Sequence, residues 1–155
     1  MGRATIAEAD RIEAKRLLLA WLTSGGDDLG SLQLTAFELH VEHNTFPGDE
    51  FARVALQALE IAKVEHDDPI AYETLLAEHL PEVELRGKEN RKIRFTVMSV
   101  ASLRGGLDPD VLEEVIYWND DYWRYSLWAS IALIRASAAK TGIPVANFAH
   151  RLADQ

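Results

Sequence analysis

Cysteine is absent from the 155 residues, which removes a disulfide framework, a cysteine-ligated zinc site and a thiol nucleophile together. No apolar run approaches the roughly 18 residues of a membrane span, and Met1 to Asp10 lacks the apolar core of a secretory signal, so a cytoplasmic protein without membrane contact is expected. Catalytic signatures are missing as well. The chain has no Gly-x-x-x-x-Gly-Lys loop, no Gly-x-Gly-x-x-Gly and no Gly-x-Ser-x-Gly, and the pairs Gly25-Gly26 and Gly105-Gly106 read as turns. No cofactor is expected.

Positive charge is scarce in the first half. Residues 1 to 80 carry 6 Lys and Arg against 15 Asp and Glu, whereas residues 81 to 155 carry 10 against 10, so the whole deficit of nine charges lies in the first half. Such a surface repels nucleic acid and anionic membrane. The balance reverses locally at Arg86, Lys88, Arg91, Lys92, Arg94 and Arg104, with Glu89 the only acid among them. This basic stretch either faces the acidic half of the fold or contacts an anion or a phosphate backbone.

What is present is helical punctuation. A hydrophobic content of 48% over this length fits one globular domain spanning residues 1–155. Thr5 and Glu8 have capping-box spacing, and Ala14, Leu18, Trp21 and Leu22 then fall on one stripe before Ser24-Gly25-Gly26. The segment Leu29 to Val41 is ambiguous. Pro47 starts a helix with Phe51, Ala55, Ala58, Leu59 and Ala62 on one face; Asp68-Pro69 and Asp108-Pro109 repeat the start signal. Residues 82 to 97 read either as a hairpin around Gly87 to Asn90 or as part of a helix continuing through Leu103. From Asp121 to Lys140 the chain is apolar nearly all round, the pattern of a helix buried on every side. An all-α bundle of about six or seven helices around that segment is the predicted fold.

Three sets of residues are candidates for function. Tyr117, Trp118, Tyr122, Trp123, Tyr125 and Trp128 concentrate aromatic area, and Trp118, Tyr122, Tyr125 and Trp128 are the residues expected at a subunit interface if not simply in the core. Ala138, Gly142, Ile143 and Phe148 have the spacing of a helix-turn-helix unit, resembling it over about 20 residues. The second helix of that unit offers few groups able to read a base edge beyond Asn147, His150 and Arg151. His40 and His43, beside Glu38 and Glu42 and with His66 elsewhere, are candidate metal ligands, but they lack the spacing of zinc-protease or di-iron motifs.

The sequence therefore predicts a non-enzymatic interaction or regulatory module that self-associates, most simply as a dimer, and meets an unidentified protein partner. A DNA-binding regulator using residues 136–152 is the alternative, and a metal-dependent enzyme using His40 and His43 is the second. Nucleic acid is the less expected partner because of the net charge of −9.

Overall fold

Two helix ends fix much of the architecture. The computed structural model describes residues 2–26, 28–43, 46–63, 78–79 and 122–155, with the backbone alone at 2–7, 40, 42–43, 46, 49, 122 and 125. Helix α1 runs Gly2–Thr23, so Thr5 lies in the first turns and not at the cap that its spacing with Glu8 suggests. Its other end falls where the sequence places it. The amide of Gly26 donates to Trp21 O at 3.0 Å and that of Gly25 to Leu22 O at 3.4 Å, a Schellman closure. Gly25 supplies the required positive φ of 102°.

The ambiguous segment is helical: α2 runs Leu29–His43. Asp28 caps it, with Oδ1 accepting from the Ser31 amide at 3.1 Å and Oδ2 from the Ser31 hydroxyl at 2.7 Å. These bonds hold the Asp28 carboxyl below its ordinary pKa, the hydroxyl contributing most. Helix α3, Phe46–Ile61, buries Phe51, Ala55, Ala58 and Leu59 completely, with Ala62 just beyond its end also buried.

Helix α4, Tyr122–Thr141, is the buried helix that the sequence predicts. Leu127, Ile131, Ile134 and Ala138 are inaccessible, and Ser126, Ser130 and Ser137 are buried with them. Two of these hydroxyls find main-chain acceptors: Ser126 donates to Gly48 O at 2.6 Å and Ser137 to Leu133 O at 2.7 Å. Each large aliphatic side chain removed from water here contributes about 1.5–3 kcal/mol. The helix packs most extensively on α3 and also on α2 and on α5, Val145–Ala153. A second Schellman closure links α4 to α5, with Ile143 N donating to Ala138 O and Gly142 N to Ala139 O, both at 3.2 Å, around a Gly142 φ of 73°.

Helices α3 and α4 run in the same direction. Ser126 near the start of α4 meets Gly48 near the start of α3, and Lys140 near the end of α4 donates to Lys63 O just past the end of α3. Helices α1 and α5 also pack together, burying Leu18, Phe148 and Leu152 in one core with Phe51 and Ile131.

All described elements are helices, and no strand occurs among the described residues. No helix among them is long and apolar enough to cross a membrane. The helices expected after Pro69, across Ile93 to Leu103 and after Pro109, together with the alternative hairpin at 82–97, lie outside the described residues, apart from helical Glu78 and His79.

Candidate functional site

Helix α2 has two apolar faces. One carries Leu32 and Ala36, buried in the core, with Leu29 and Leu39 packed against it. The other carries Leu34, Phe37 and Val41 at i, i+3 and i+7, and these are 60%, 47% and 66% exposed. A helix on a protein surface ordinarily turns charged or polar residues outward. Glu38 is the exposed charge on this face among the described side chains. Phe37 is anchored at its inner edge, its ring 5.7 Å from that of Trp123.

A groove of about 440 Å³ lies between α1 and α5. Its origin is the small side chains where the two helices meet: Ala20 on α1 and Ala149 and Ala153 on α5 leave a valley that larger residues would fill. Ile12, Leu19 and Thr23 continue its wall, and Lys15, Arg16, His150 and Gln155 complete the lining. Lys15 Nζ donates to the Gln155 main-chain oxygen at 3.1 Å, and Arg16 Nε to Glu13 at 2.9 Å.

A buried carboxylate lies on α3. Glu50 on α3 is 7% exposed, with Arg11 Nε at 3.5 Å and Arg53 Nε at 3.7 Å from Oε2. Burial pushes its pKa up, and the Arg11 guanidinium opposes that shift. The Arg11 contact ties α1 to α3.

Of the aromatic candidates Trp128 is 4% exposed, and its neighbour Trp123 is 7% exposed, so both rings are in the core. Tyr122 and Tyr125 belong to α4 by their backbone, and Trp118 lies outside the described residues. Asn147, His150 and Arg151 share the exposed side of α5, opposite buried Phe148, Ala149 and Leu152. His40 and His43 lie in the last turns of α2 by their backbone, and His66 is outside the described residues. Among the described residues no group of three acids or histidines is placed to hold a metal ion. Arg86, Lys88, Arg91, Lys92 and Arg94 lie outside them.

Sequence reading missed the outer stripe of α2 and the α1–α5 groove. The stripe had a signal: Leu32, Ala36 and Leu39 already supply one apolar face, so Leu34, Phe37 and Val41 are surplus to it. Comparison with protein-family models, with curated proteins and with solved structures gives no match to this chain.

Proposed function

We propose that this chain is a non-enzymatic helical interaction or regulatory module, a single domain of six or seven helices organised around α4, that self-associates. The observation that carries this reading is the outward stripe Leu34, Phe37 and Val41, large apolar groups left in water on a helix whose other face already serves the core. Light scattering at micromolar concentration is expected to give a mass above the 17.4 kDa monomer, and Leu34→Glu with Val41→Glu is expected to lower it to the monomer without loss of helicity. A wild-type mass of one chain across the concentration range removes the proposal.

DNA binding through α5 is the second reading, supported by the exposed trio Asn147, His150 and Arg151 beside a glycine-closed turn. With a net charge of −9 the expected binding is weak and indifferent to sequence. An affinity near about 10⁻⁸ M for one operator, lost on Arg151→Ala, replaces the first reading with this one.

A further inference from the structure

We draw no further inference here: the strongest candidate, the apolar groove between α1 and α5, has its Lys15 and Arg16 already paired with the Gln155 main-chain oxygen and with Glu13, and nothing in the structure shows what covers it.

Discussion

Glu50 shows how one buried atom group sets a pH response. Its folded pKa lies above its ordinary value of 4.5, so the folded state favours the protonated form more than the unfolded chain does. The associated stability is fully present below 4.5 and is lost as pH rises through the folded pKa. Asp28 has the opposite sign: its lowered pKa contributes stability above 3.8 that disappears as pH falls through the folded value. Glu50→Gln keeps the volume and removes the titration, so the melting temperature of this variant should decline less than the wild type's as pH is raised above 4.5. Parallel melting curves across that range would show that Glu50 does not titrate differently in the fold. The glycines make a second residue-scale contrast. At Gly142 an added Cβ meets nothing within 4 Å, so Gly142→Ala bears only the left-handed backbone cost of about 1–2 kcal/mol. Gly26→Ala has a similar φ of 73° but also presses on the Arg135 guanidinium at 3.2 Å, beside the Trp21 ring, and should lower the chemical-denaturation midpoint further.

At the scale of the element, α5 separates structural from surface roles within nine residues. Phe148→Ala removes a fully buried ring and should cost about 3–5 kcal/mol, whereas Asn147→Ala on the exposed face should stay within about 0.5 kcal/mol of wild type in urea unfolding. This element was legible in the sequence because the spacing of Ala138, Gly142, Ile143 and Phe148 acts locally. The buried faces of α1, α3 and α4 were legible for the same reason: period and helix ends depend on neighbours in the chain. Helix α2 resisted because both of its faces are apolar, which weakens the 3.6-residue contrast on which the reading depends. The groove was invisible because its walls come from residues far apart, Ala20 and Ala149 among them, and no local pattern reports a valley between two distant helices. The burial of Trp128 was legible in the same way, since it lies on a helix that is apolar nearly all round.

The whole molecule is closed by contacts of long sequence separation. Lys15 and Gln155, which join α1 to α5, are 140 positions apart, and the Ser126 bond to Gly48 spans 78. Helix α1 consequently has its Leu18 face next to α5, which is synthesised long after it. During synthesis at about 5–20 residues per second, that face waits on the order of ten seconds before Phe148 and Leu152 exist. A ribosome-bound chain arrested before Val145 should accordingly be cut by protease within Ala14 to Leu22 and captured by holdase chaperones, while the released full chain resists both. Resistance in the arrested chain would show that α2 and α3 alone shelter α1. Should the arrested chain instead prove sensitive, the nascent protein passes through an interval in which α1 is sticky, and its yield in a cell should depend on what meets that helix before α5 arrives.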